Sequence, residues 1–327
     1  MKYRVLGNTG VNVSELCLGT MTFGRESDRA TSEAVFNRCR EAGINFFDCA
    51  NVYAEGESER ILGELIADCR DEIVLVSKVY FAGRSQQINA RGTSRRNIMR
   101  EVEASLKRLN TDYIDLYFLH HFDQNTPLED SLRALDDLVS QGKVVYTGVS
   151  NFAAWQVMKT QGICAKEGWA PIKCIQPMYN LIKRQAEVEL FPMAFSEKIG
   201  VMTYSPLGGG LLTGKYHQGE RSGPARFDSS QMYQSRYGEQ WMQDSAAKFV
   251  EFARAQGYHP ASLAVAWVNH HPAVTAPIIG ARNVEQLEIT LNAAEIDMTP
   301  DLYAEISQLS PTPPPAHDRT DEVQASK

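Results

Sequence analysis

Four side chains in this chain of 327 residues have the types and order of a proton-transfer site: Asp48, Tyr53, Lys78 and His120. A free phenol titrates at about 10, too high for efficient proton exchange at neutral pH. A neighbouring ammonium stabilises the phenolate and lowers that value. A carboxylate paired with the ammonium holds it in place and keeps it charged in a partly dry site. A histidine beside the phenol can hydrogen-bond a carbonyl oxygen and fix its orientation. Such an assembly would hand a proton to a carbonyl under reduction, with no metal needed. Any one of these residues alone is unremarkable, because a buried Asp or Lys near a strand end is about as often a structural ion pair.

What gives the set weight is the elements that must position it. Apolar runs predict strands at Leu16 to Gly19, Asn45 to Asp48, Ile73 to Lys78 and Ile114 to His120. Four more are predicted at Val144 to Val149, Cys174 to Gln176, Val201 to Tyr204 and Thr275 to Ile279. Their centres do not alternate with polar residues, as expected of parallel strands buried on both faces. Between them the period becomes helical, as in Ile98, Val102, Leu106 and Leu109, or Leu128, Leu132, Leu135 and Leu138, or Val284, Leu287, Leu291 and Ala294. This pattern predicts a (β/α)8 barrel of the TIM type. A doubly wound sheet would carry a Gly-x-Gly-x-x-Gly turn after its first strand, and Leu18 to Gly24 is not one. Reading the residue at each strand end gives Thr20, Asp48, Lys78, His120, Ser150 with Asn151, Gln176, Tyr204 with Ser205, and Gly280. Barrel chemistry is built at that end, and nearly every strand delivers a polar group there.

Three stretches depart from the alternation. Residues 3 to 13 predict a short N-terminal hairpin turning at Gly7-Asn8-Thr9-Gly10. Residues 207 to 243, after the seventh barrel strand, are Gly-rich with little helical period and predict a long lid or binding loop. Residues 311 to 327, opening with Pro311, Pro313, Pro314 and Pro315, predict a Pro-rich polar tail beyond a single domain at 1–310.

The bulk numbers bound the partners. A formal charge of −7 without a dense basic block disfavours nucleic acid or an anionic membrane. The six cysteines are scattered without a Cys-x-x-Cys pair and read as buried small hydrophobes. No run approaches the length of a membrane span and no signal peptide is evident, so a reduced, cytoplasmic protein is expected. The histidines form neither His-x-His nor His-Glu-x-x-His, which weighs against a metal-dependent lyase on a similar barrel.

These segments together resemble the aldo-keto reductase family over essentially the whole chain to about residue 309. The resemblance is carried by Asn45 to Tyr53, Gly56-Glu57-Ser58-Glu59 with Leu62-Gly63, and Val76-Ser77-Lys78. It continues through Tyr113 to His120, Gly148 to Phe152, Gln176 to Asn180, Tyr204 to Leu207, and Ile279 to Arg282. The openings Leu6 to Val11 and Leu18 to Gly24 look like the bacterial and potassium-channel-β-subunit-like branches.

The resemblance implies an NADPH-dependent reductase of aldehydes, ketones or sugars, with NADH the lesser alternative. Tyr53 would be the general acid/base, Lys78 would lower its pKa, Asp48 would hold Lys78, and His120 would orient the carbonyl. His121 falls where relatives carry Arg or Trp, at the pocket mouth. Ser150, Asn151 and Gln176 would hold the nicotinamide amide and Tyr204 would stack on its ring, with Gly19, Thr20, Met21 and Asp48 beside it. Ser205, Pro206, Leu207, Gly209, Leu211 and Lys215 resemble the pyrophosphate clamp, and Arg226 a further cofactor-loop position. Gly280, Arg282 and Gln286 open the last barrel helix, where Arg282 suits a 2′-phosphate. Ile289-Thr290 departs from the Glu-Asn that many relatives offer the adenine. Phe23, Tyr53, Phe81, His120 and His121 would face the substrate. The same site run backwards would be a sugar or alcohol dehydrogenase, and a cofactor-sensing regulatory subunit is the non-enzymatic alternative; self-association is left open.

Overall fold

The structure is a computed structural model that describes residues 1–83, 85–216, 231–319 and 321. A two-stranded antiparallel hairpin of β1 (Tyr3–Val5) and β2 (Asn12–Ser14) comes first. Eight parallel strands then close on themselves: β3 (Cys17–Gly19), β4 (Phe46–Asp48), β5 (Val74–Val79), β6 (Ile114–Leu119), β7 (Val144–Ser150), β8 (Ile172–Gln176), β9 (Gly200–Thr203) and β10 (Ala276–Ile279). Neighbours follow sequence order, and β10 pairs with both β9 and β3. This is the (β/α)8 barrel, with the N-terminal hairpin, that the apolar runs predict.

Two cores hold it together. Side chains pointing inward, among them Phe46, Val74, Val76, Leu116, Phe118, Cys174 and Met202, fill the barrel. Those pointing outward meet the helices in a larger cluster around Phe47, Leu75, Tyr117 and Val149. The period-2 alternation of strand faces therefore survives although both faces are apolar. The hairpin contributes Leu6 and Val13, both fully buried, to the inner cluster. Gly7 is required there: its φ is +53°, and a Cβ would lie 2.6 Å from the Gly200 backbone nitrogen.

The helices follow the predicted faces. Arg95–Leu109 starts on Ser94, whose hydroxyl accepts from the Asn97 N–H, and buries Ile98, Val102, Leu106 and Leu109. Leu128–Ser140 buries Leu128, Leu132, Leu135 and Leu138. Val284–Leu291 starts on Asn283, whose side chain accepts from the Gln286 N–H. The stretch 207 to 243 holds more helix than the sequence predicts. It opens with a 3-10 turn at Gly208–Thr213. Helices at Gln231–Tyr237 and Gln240–Ala255 then replace the last part of the predicted loop. They form because Tyr233 and Tyr237, then Met242, Ala246, Phe249, Val250 and Ala253, make an apolar stripe that is buried against the rest of the barrel.

Candidate functional site

The strand ends converge as the sequence predicts. Asp48 closes β4 and Lys78 is the penultimate residue of β5, so both side chains reach the barrel axis. Lys78 is fully buried. Its ammonium donates to Asp48 Oδ2 at 2.6 Å, to the Cys49 carbonyl at 2.7 Å, and to the Tyr53 hydroxyl at 3.4 Å. The other oxygen of Asp48 accepts from Gln176 Nε2 at 2.8 Å. A buried ion pair is tolerated only when its remaining hydrogen-bonding capacity is met, and here it is met from β8, directly across the barrel.

Tyr53 reaches the lysine because the chain turns sharply after β4. Ala54 and Glu55 adopt left-handed conformations (φ 46° and 60°) and Gly56 follows at φ 91°. Two non-glycine residues in that region store strain, which such turns carry where a side chain must be aimed. His120 follows β6; its ring lies 6.2 Å from that of Tyr53 and 5.0 Å from Phe81, both edge-on. Its Nδ1 is buried with no partner among the described residues. His121 is exposed, with Nδ1 2.7 Å from the Phe122 carbonyl, and its ring packs beside Tyr80 and Phe81.

The electrostatics qualify one expectation. Burial pushes the Tyr53 phenol up to about 12; Lys78 pulls it down, and Asp48 raises it again. The ammonium does lower the phenol, but in this dry corner desolvation wins. Lys78 itself is held above the usual lysine value: burial lowers it, and Asp48 with Tyr53 more than offsets that. Burial, then Lys78 and His121, push His120 well below the ordinary histidine value. At neutral pH the corner therefore holds a protonated phenol, a charged lysine and a neutral imidazole.

The opposite edge of the mouth is built from β7 to β10. The Ser150 hydroxyl donates to the Gln176 carbonyl at 2.9 Å. Asn151 Nδ2 donates to the His120 carbonyl at 2.9 Å and to Ser150 Oγ at 3.0 Å. The Tyr204 hydroxyl donates to Asn151 Oδ1 at 2.7 Å. Asn151 and Ser205 both have positive φ, 58° and 60°. Beyond them Gly208, Gly209 and Gly210 turn at φ 55°, 66° and 98°, and a Cβ on Gly210 would lie 2.6 Å from Lys215 Nζ. Arg282 precedes the helix at Val284, with its N–H donating to Gln286 Oε1 at 3.2 Å. Met21 and Gly280 are exposed on the same rim, while Gly19 is buried.

Several expected contacts are corrected. Phe23 is fully buried in the outer core, because the segment after β3 folds inward with the Phe23 N–H on the Thr20 carbonyl. It packs the barrel wall and does not line the mouth. Thr20 is also fully buried, and its hydroxyl donates to the Asp48 carbonyl while Ser58 donates to Thr20. Leu211 is packed in the outer core and Pro206 is buried. Arg226 lies outside the described residues. What sequence reasoning missed is Glu59, a fully buried carboxylate behind the Tyr53 turn; its only sequence signal is its place in Gly56-Glu57-Ser58-Glu59.

A barrel with this corner at its C-terminal end defines a class. The Aldo/keto reductase family model matches residues 15–311, and the chain belongs to that family. It is similar to a Bacillus subtilis (strain 168) protein described as uncharacterized oxidoreductase YrpG, 38% identical over 96% of this chain and 97% of that protein. It is also similar to a probable voltage-gated potassium channel subunit beta of Arabidopsis thaliana, 33% identical over 96% and 98% of the two chains. A norsolorinic acid reductase of Aspergillus flavus is 34% identical over 94% of this chain and 81% of that one. The protein is an NAD(P)H-dependent oxidoreductase. No helix among the described residues is long and apolar enough to cross a membrane.

Proposed function

We propose that this protein is an NADPH-dependent carbonyl reductase in which Tyr53 is the proton donor. The observation that carries the reading is the Lys78 ammonium, fully buried and shared between Asp48, the Cys49 carbonyl and the Tyr53 hydroxyl. Tyr53 holds its proton at neutral pH and releases it to an oxygen that gains negative charge, so the donor acts as that charge develops. Lys78 steadies the phenolate that is left behind. Neutral His120 offers a ring N–H to the same oxygen and orients it.

The other rim fits a nicotinamide dinucleotide. Asn151, exposed on this rim, offers its amide to the carboxamide with the buried Ser150 and Gln176 directly behind it, and Tyr204 gives the ring a face. Ser205, Leu207, Gly209 and Lys215 suit the pyrophosphate, since small residues let backbone N–H groups approach phosphate. Arg282 stands just before the helix Val284–Leu291, where its guanidinium suits a 2′-phosphate and favours NADPH. When bound, NADPH supplies the hydride for the carbonyl carbon. The aromatic mouth of Tyr80, Phe81 and His121 suits a flat or apolar carbonyl compound. The reductase name of the Aspergillus relative supports the same direction.

The test is Tyr53→Phe, assayed by loss of NADPH absorbance against a panel of aldehydes and ketones. The expected loss is about 10²–10⁴-fold in turnover, with NADPH binding by fluorescence titration unchanged. A variant that turns over like the parent would overturn the mechanism.

A further inference from the structure

The corner that holds Tyr53 and Lys78 has a second buried carboxylate behind it, on the outer face of the barrel. Glu59 is fully buried and rides on the helix Glu57–Leu65, which begins directly after the Tyr53 turn. Its Oε1 accepts from the Ser77 hydroxyl at 2.6 Å, and its Oε2 from Arg108 Nε at 2.6 Å. Ser77 is the residue before Lys78 on β5, with its side chain on the opposite face of the strand. Arg108 comes from the helix Arg95–Leu109. Its stem lies against Gly56, where a Cβ would be 2.7 Å from Arg108 Cδ, and Gly56 ends the turn at φ 91°.

One carboxylate therefore ties together the strand that carries Lys78, the turn that carries Tyr53 and the helix that walls both. The Lys78 to Tyr53 contact of 3.4 Å lies near the outer limit of a hydrogen bond, so small shifts of either element would open it. We infer that the Ser77–Glu59–Arg108 set is a positioning device for the reaction, holding the tyrosine turn and the lysine strand in register. It touches neither substrate nor cofactor, and the inference rests on the reading of Tyr53 as proton donor.

The experiment compares Ser77→Ala, Ser77→Thr and Glu59→Gln as full-length enzyme, once Tyr53→Phe has been shown to abolish turnover. A parent-like Tyr53→Phe would defeat that reading before this one is reached. Ser77→Ala and Glu59→Gln are expected to lower kcat by about 10- to 100-fold, since misplacing a catalytic group by about 1 Å can cost about 10²-fold. The NADPH dissociation constant should stay unchanged. In the oxidative direction the rise of rate with pH should move to higher pH, because a tyrosine farther from the ammonium ionises less readily. Ser77→Thr keeps the hydroxyl and should restore kcat. A drop in Tm with kcat and pH profile untouched would make the set merely structural and overturn the inference. So would failure of Ser77→Thr to recover kcat while folding normally. If Glu59→Gln does not fold, Ser77→Ala against Ser77→Thr carries the test alone.

Discussion

The two rims of the barrel mouth are built by different means. On the side of β4 to β6, the left-handed turn at Ala54 to Gly56 is pinned by side chains bonding to side chains: Lys78 to Asp48, Asp48 to Gln176, Ser77 and Arg108 to Glu59. On the side of β7 to β10, much of the shape comes from backbone conformation, with positive φ at Asn151, Ser205 and Gly208 to Gly210. The first arrangement suits a group that must move one proton over a short distance, where a fraction of an ångström matters. The second suits a long polar ligand that meets backbone groups as well as side chains. The contrast teaches that damage to one rim should appear in turnover and damage to the other in affinity.

Lys78→Met should give the largest effect. Turnover is expected to fall by about 10²–10⁴-fold, and the Asp48 carboxylate, left buried without its partner, should cost about 3–5 kcal/mol of stability. Adding Asp48→Asn should recover much of the Tm and none of the rate. Recovery of both would dissolve the distinction between rims.

Arg282→Ala comes next and should act on the other quantity. Loss of a charge-assisted contact worth about 1.5–3 kcal/mol should weaken NADPH binding by about 10- to 100-fold. NADH affinity and kcat at saturating cofactor should be unchanged. Equal weakening of NADH would remove the 2′-phosphate from the account.

The smallest effect concerns acid stability. His120 is held well below the ordinary histidine value of 6.5, so the unfolded chain takes up a proton there that the folded chain refuses. Its contribution is present above pH 6.5 and is lost as pH falls below it. Parent Tm should therefore drop more steeply than that of His120→Asn between neutral pH and about pH 5. Parallel curves would mean that His120 is easily protonated in the folded protein.

Much of this is legible in the sequence because parallel strands and polar strand ends are both local signals. The apolar runs mark all eight barrel strands, and Asp48, Lys78 and His120 stand where their strands end. Phe23 misleads because an aromatic after a strand end looks the same whether the chain turns outward or back into the core. The helices in 231 to 243 escape notice although Tyr233 and Tyr237 lie four apart, since the glycines upstream dominate the pattern. Glu59 is invisible as a buried group, because its two partners come from Ser77 and Arg108, 18 and 49 residues away. The left-handed turns at Asn151 and Ser205 have no glycine to announce them.

The hairpin at the start of the chain has a consequence for proton traffic. Leu6 and Val13 join the inward side chains that fill the barrel from its far end, so the interior is packed rather than hollow and, among the described residues, Tyr53 meets water at the mouth. A proton donor at Tyr53 must then be recharged from bulk water through the same doorway that substrate uses. Each cycle would take its proton back only after the product alcohol has left, and exchange with solvent would run in step with product release.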